Sequence, residues 1–373
     1  MANIINYLDW RGDLTLAQAP FNEVDSLVLS ELVYLDFQGI VSGMDGGDTI
    51  TIAQAAQAFQ KSERGTYLGI FVPTQAPLLL EKMGQSARFG HMELSHFVDY
   101  IDNEHSLQFA AMTIHTGDGA MFIAYRGTDD SLAGWKEDFL ISCMPEIPAQ
   151  KSALLYAKTV TTQIPRKKIR LGGHSKGGNL AVYAATFVPY KMQHRILHVY
   201  SNDGPGFHHA IFDLPQHQRL EGRISTFVPA SSVVGIFMQH EEDYTVIKSN
   251  QLGFLQHDGF SWEVLGSEFI HLEELSKGGQ YFDQAMQSWL DALSITQREQ
   301  FIESLFHILT ASGAQTLGDM RTDAHKTALA MVRATVDMDK PTRDALLHAV
   351  GLLFRTNLQV RREGWHPWWK REE

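Results

Sequence analysis

Apolar and polar residues alternate with three different rhythms along the chain. Over residues 1–100 the spacing is mostly helical. Asn22 offers a cap for an amphipathic run through Tyr34, Ser42 to Asp48 reads as a Gly/Asp turn, and Ala53 to Phe59 resumes a helix. From about residue 106 the rhythm changes to that of strands. Leu107–His115 and Ala120–Tyr125 flank Thr116-Gly117-Asp118-Gly119, which is a hairpin turn signal. A helix over Gln150–Gln163 then leads to a strand at Lys168–Gly172, a second helix, and a strand at Ile196–Ser201. Strand–helix–strand alternation at this spacing predicts parallel strands joined by crossovers. Beyond residue 276 four segments place apolar residues on one face: Tyr281–Leu293, Thr296–Ala311, Asp323–Val336 and Lys340–Phe354. The expected organisation is a helical N-terminal region (1–100), an α/β core (101–275) and a helical C-terminal region (276–373).

The junction between the strand at 168–172 and the following helix carries the strongest chemical signal. Gly173-His174-Ser175-Lys176-Gly177 is a Gly-x-Ser-x-Gly turn followed at once by Gly178 and a small-residue helix. A strand that turns sharply into a helix at a serine is how a chain presents a nucleophile, with the helix N–H groups aimed beside its Oγ. The pentapeptide alone recurs by chance in about one chain in ten of this length. Its placement between strand and helix is what distinguishes it from a Gly-Ser turn before a core helix.

Composition narrows the partners. A net charge of −12 leaves no basic excess for nucleic-acid phosphates. The single cysteine, Cys143, cannot form an intramolecular disulfide and reads as a packing residue in a reducing compartment. The first residues lack a basic n-region and a long apolar core, and no stretch matches a bilayer span, so a cytoplasmic location is expected. The aromatic and basic tail Trp365–Arg371 fits a packed or frayed terminus better than a membrane contact.

Arg126-Gly127-Thr128-Asp129-Asp130 and Gly-His-Ser-x-Gly-Gly at 173–178 resemble the corresponding segments of the fungal-type (class 3) lipases. Tyr7-Leu8-Asp9-Trp10-Arg11-Gly12-Asp13, Gly134-Trp135-Lys136-Glu137-Asp138-Phe139 and Ser201-Asn202-Asp203-Gly204-Pro205-Gly206-Phe207 further resemble a bacterial branch of lipase-like α/β-hydrolases, over roughly residues 1–270. The resemblance implies an α/β-hydrolase fold with helical additions at both ends, and by itself names no substrate.

A serine hydrolase also needs a base, a carboxylate that orients it, and donors for the oxyanion, with chain order serine, acid, histidine on this fold. Among 17 histidines, His257 lies in a late loop, Gly253–Trp262, where the lipases it resembles keep theirs. His174 is locked in the turn and reads as its support, and His208, His209 and His240 are weaker alternatives. The acid departs from the lipase pattern. The position before the histidine loop that should hold aspartate corresponds to Ser232, whereas Asp203 follows the strand after the elbow helix. Asp203 is therefore expected as the acid, its structural alternative being an Asp-Gly-Pro turn former, with Asp258 and Asp243 behind it. The backbone N–H of Lys176, and by resemblance that of Thr128 with or without its hydroxyl, would form the oxyanion hole. The lipases usually carry leucine where Lys176 stands. Its ammonium is expected to pair with Asp129 or Asp130, or else to attract an acidic substrate. Phe139–Pro145 reads either as a short lid or as a buried connector.

These residues point to a serine esterase acting on lipid or short acyl esters, without metal or organic cofactor. The alternatives are a thioesterase or peptidase on the same triad, and a catalytically inactive member kept for binding.

Overall fold

A computed structural model of the chain describes residues 2–45, 47–62, 74–207, 209–232, 234–235, 238, 244–322 and 324–348. Its strands are β1 (Ile50–Thr51), β2 (Glu93–Asp102), β3 (Leu107–His115), β4 (Ala120–Tyr125), β5 (Lys168–His174), β6 (Ile196–Asn202), β7 (Ile224–Pro229), β8 (Thr245–Ile247), β9 (Val264–Leu265), β10 (Glu268–Phe269) and β11 (His271–Leu272). Nine of them form one sheet in the order β1-β2-β3-β4-β5-β6-β7-β8-β11. Neighbours from β4 to β8 run parallel, and β1 to β4 and β11 add antiparallel flanks. This is an α/β-hydrolase architecture.

The helices that precede β4 are α1 (Ile4–Arg11), α2 (Glu23–Leu32), α3 (Ile52–Lys61) and α4 (Ala76–Gln85). Between β4 and β8 come α5 (Leu132–Leu140), α6 (Pro148–Gln163), α7 (Lys176–Phe187) and the single turns α8 (Tyr190–Gln193) and α9 (Pro215–Gln218). The C-terminal helices are α10 (Lys277–Asp291), α11 (Ile295–Thr310), α12 (Leu317–Thr322) and α13 (Ala324–Asp337), and residues 340–348 are helical again. The remainder of the helix expected to reach Phe354, together with the tail at 365–371, lies outside the described residues. Asn22 caps α2 as its sequence implies, its side chain accepting from Asp25 N at 3.0 Å.

Alternation along the strands sends successive side chains to opposite faces, and two cores result. Phe122, Ala124, Tyr200, Phe227 and Ile247 face a cluster built by α1 to α4. Met121, Ile123, Tyr125, Ile169, Leu171 and Val199 face the other, shared with α6, α7 and the C-terminal helices through Trp289, Phe301, Ile302 and Phe306. The helical ends of the chain thus supply much of both layers over the sheet.

Two features hold the N-terminal layer in place. Apolar burial is one, at about 1.5–3 kcal/mol for each fully covered large side chain such as Leu27, Val28 or Leu32. The other is a fully buried ion pair. Arg88 donates from Nε to Asp25 Oδ1 at 2.7 Å and from Nη1 to the carbonyls of Leu14 and Ala19, while Tyr7 Oη also donates to Asp25 Oδ1 at 2.9 Å.

The sheet reaches further towards the N-terminus than the hydrophobic rhythm indicates. β2 falls in the region read as helix and loop because a bulge between Ser95 and Val98 breaks its alternation, with His96 at φ 55°. Phe139–Pro145 settles as a connector. Leu140, Ile141 and Cys143 are buried in the second core, and the Phe139 ring packs edge-on against Phe306 of α11. No helix among the described residues is long and apolar enough to cross a membrane.

Candidate active site

The turn from β5 into α7 is as tight as its glycines allow. Ser175 sits at φ 58° and ψ −136°, a left-handed conformation that costs an L-residue energy and persists only where its surroundings enforce it. They do so through close backbone approach. A Cβ on Gly173 would fall 2.2 Å from the carbonyl carbon of Gly177, and one on Gly177 would fall 2.1 Å from the Tyr125 carbonyl oxygen. Ser175 N donates to Asn202 O at 2.9 Å, tying the elbow to the end of β6.

That bond also explains where the acid lies. β5 and β6 run in register with Gly173 opposite Ser201 and His174 opposite Asn202, so the next residue of β6, Asp203, emerges at the same carboxyl edge as Ser175. Asp203 is fully buried, is itself left-handed at φ 52°, and donates its N–H to Phe227 O on β7 at 2.8 Å. Its Oδ2 accepts from His257 Nδ1 at 2.6 Å. Its Oδ1 accepts from Ser232 Oγ at 2.5 Å, and Ser232 Oγ in turn accepts from Gly235 N at 2.8 Å. Asp258 does not compete for the imidazole, because its carboxylate caps a turn by accepting from Phe260 N at 3.0 Å.

His257 ends a short helical turn, Gly253–His257, and keeps 18% of its side chain exposed while Asp203 has none. Its backbone is fixed from behind. His174 Nε2 donates to His257 O at 2.7 Å, and the two imidazoles lie 4.7 Å apart. Because that bond requires the proton on Nε2, the neutral ring offers Nδ1 as acceptor to Tyr34 Oη at 3.2 Å. Burial, followed by the nearby His257, pushes the His174 pKa well below the usual histidine range. Glu31, fully buried 3.3 Å from the same Nδ1, is pushed well above the usual carboxylate range by burial and by Asp258. Both ring nitrogens of His174 are thus engaged in holding the turn and the histidine loop together.

The oxyanion side differs from expectation in its side chains. Lys176 is the first residue of α7, where backbone N–H groups have no partner within the helix. Its ammonium pairs with neither Asp129 nor Asp130. It is fully buried and donates to Glu137 Oε2 at 2.8 Å, to Gln108 Oε1 at 2.9 Å and to Gln108 O at 3.2 Å. Asp129 instead accepts from Arg126 Nη2 at 3.0 Å and Ser131 N at 2.9 Å, and Asp130 Oδ2 accepts from Gly318 N at 3.0 Å. With three donors used, Lys176 cannot serve an acidic substrate either. The Thr128 hydroxyl is also committed, donating to Asp138 Oδ2 at 2.6 Å. Of the two groups expected of Thr128, the hydroxyl is thus taken up by Asp138. A quarter of the Asp138 side chain is open to solvent, yet its Oδ1 is covered and lies 4.0 Å from Lys176 Nζ. That covering raises the Asp138 pKa to about 6, against the opposing pull of Lys176 and the Thr128 bond.

The segment around Thr128 is walled by the C-terminal region. Leu132 N donates to Gln315 O at 2.8 Å, Ser131 bridges to Thr316, and Lys136 donates to Glu303 at 2.8 Å. Ser232, Glu137, Asp138 and Gln108 are the residues whose parts in this arrangement the sequence left unassigned. Glu137 and Asp138 stood inside a distinctive segment, but nothing in their spacing shows that one meets Lys176 and the other Thr128. His209 opens a short helical turn, His209–Ile211. His208, His240, Asp243 and the acidic run at 241–243 lie outside the described residues. Among the described residues no group of three or more His, Cys, Asp or Glu is arranged to hold a metal ion.

A family model described as Mbeg1-like matches residues 83–307, more than half of the chain. No curated protein matches it. Among solved structures, it is similar to M37 lipase at 17% identity and TM-score 0.38, covering 58% of this chain and 70% of that one. It is also similar to a mutant of MDLA from Penicillium cyclopium at 14% identity and TM-score 0.39, covering 68% and 86%. A deletion mutant of the Rhizomucor miehei lipase in complex with its propeptide follows at 13% and 0.37, covering 66% and 67%. Likenesses this loose carry no argument about activity.

Proposed function

The chain belongs to the Mbeg1-like family, and from that premise and the geometry around Ser175 we propose that it is a serine hydrolase of carboxylic esters working through an acyl-enzyme. The observation that carries this reading is the 2.6 Å bond from His257 Nδ1 to Asp203 Oδ2, made at the strand edge from which Ser175 projects. A carboxylate in that position holds the proton on Nδ1 and leaves Nε2 as the basic nitrogen. His257 then takes the Ser175 hydroxyl proton as Oγ attacks the acyl carbonyl, and returns it to the leaving alcohol. The oxyanion that forms meets the N–H groups of Lys176 and Thr128. Water, deprotonated by the same imidazole, releases the acid and regenerates Ser175. Each oxyanion donor is worth on the order of 3 kcal/mol in the transition state.

The substrate class follows from what surrounds the imidazole. Leu252 and Leu255, on the loop that carries His257, are 84% and 63% exposed, and the ammonium of Lys176, next to the serine, is buried and fully engaged. Exposed leucines on the histidine loop favour acyl chains, so lipid or short acyl esters are the proposed substrates.

The test is covalent labelling with a fluorophosphonate probe, followed by an acyl-ester panel. Wild type is expected to label and to cleave esters, and Ser175→Ala and His257→Ala to do neither while remaining folded. A folded wild type that neither labels nor turns over any acyl substrate would leave the binding alternative.

A further inference from the structure

A lysine directly after the nucleophile is an expensive choice. Its ammonium is removed from water, where burial of a charge costs several kcal/mol even after relaxation. Replacing a buried ion pair as a whole by packed apolar side chains is often neutral or stabilising. Stability therefore does not account for Lys176 and Glu137. Direction does, because an ion pair with three ordered hydrogen bonds fixes a distance that apolar packing leaves adjustable.

The partners show which distance is fixed. Lys176 supplies its N–H to one side of the proposed oxyanion hole, and its side chain crosses to Glu137 on α5 and Gln108 on β3. Glu137 is held in turn by Ala149 N of α6 at 2.7 Å and Gln108 N at 3.3 Å, so it cannot follow the lysine if the elbow shifts. The next residue of α5, Asp138, accepts from the hydroxyl of Thr128, which carries the other oxyanion donor. A chain of bonds thus runs from one donor to the other through Lys176, Glu137, Asp138 and Thr128.

We propose that the buried Lys176–Glu137 pair is a positioning element that sets the separation of the two oxyanion donors, with Lys176 acting through its side chain as well as its N–H. The inference rests on the serine-hydrolase reading above. A misplacement of about 1 Å at a reacting centre can cost a hundredfold in rate, so the pair is expected to act on kcat.

The experiment compares wild type with Lys176→Met/Glu137→Gln. The double variant removes both charges, and the introduced amide keeps an acceptor for Ala149 N while giving up the 3.3 Å bond that Glu137 Oε2 accepts from Gln108 N. It is expected to melt close to wild type, to lose about ten- to a hundredfold in kcat with KM within about twofold, and to lose affinity for a boronic-acid transition-state analogue in proportion to kcat. Glu137→Asp, which keeps both charges and draws the carboxylate back by one methylene, should show the same split to a smaller degree and stands in if the double variant does not fold. Wild-type kcat in a folded variant, or a change confined to KM, overturns the inference. A wild type that does not label at Ser175 overturns the underlying reading instead.

Discussion

Ser232 donates its hydroxyl to Asp203 Oδ1 at 2.5 Å, and it does so from the position at which the lipase resemblance would place the acid itself. On the proposed reading the acid stands one strand along the sheet edge from that position, and Ser232 orients it. Asp203→Asn is expected to lower kcat by about 10⁴, since the amide would favour the wrong imidazole tautomer. Ser232→Ala should be far milder. Loss of one hydrogen bond to a charged group costs about 1.5–3 kcal/mol, or roughly ten- to a hundredfold in kcat. Steady-state kinetics on folded variants checks both, and equal losses would mean that Ser232 does more than orient Asp203.

Gly235 gives the same carboxylate its room. A Cβ there would stand 2.1 Å from Asp203 Oδ1. Gly235→Ala should push the acid off His257 and cut kcat by at least about tenfold, with a small effect on thermal stability because the collision falls on the side chain. A wild-type rate in this variant would show that the 232–235 turn yields instead.

The raised pKa of Asp138 has a definite sign for stability. The folded state holds a proton up to about pH 6 that the unfolded chain releases near 3.8. The native form thus binds more protons across that window, and stability falls as pH rises from about 4 to 6. Denaturant unfolding of wild type should show that decline relative to Asp138→Asn, and a carboxyl carbon resonance titrating near 6 should vanish in the variant. Removing the Lys176 charge should move that midpoint upward.

Asp25→Ala should destabilise the protein by about 3–5 kcal/mol, because it strands the fully buried Arg88 guanidinium. Chemical denaturation measures this. A loss below about 1 kcal/mol would mean that the carbonyls of Leu14, Ala19 and Pro20 suffice for Arg88.

What the sequence disclosed and what it withheld divide along physical lines. The elbow, the hairpin around Gly117 and the crossover helix at 148–163 were legible because glycine placement and local periodicity determine them. The approach of Asp203 to His257 was legible through strand order, since neighbouring parallel strands end side by side. The partner of Lys176 was not. Asp129 and Asp130 stood nearer along the loop, but backbone and arginine bonds had already claimed them, and α5 turned Glu137 inward. β2 was hidden by its bulge, where the alternation that identifies a strand is interrupted.

The stretch from Ala314 to Thr322 lies past the span shared with the family, yet Gly318 N meets Asp130 and Gln315 O meets Leu132 N, on either side of the turn that follows Thr128. Force applied at residues 314–322 is therefore transmitted to the loop around Thr128 without passing through the sheet. A version ended at residue 307 would keep the elbow and the histidine loop but lose this brace. The segment at 314–322 is in that sense part of the frame that holds the proposed site still.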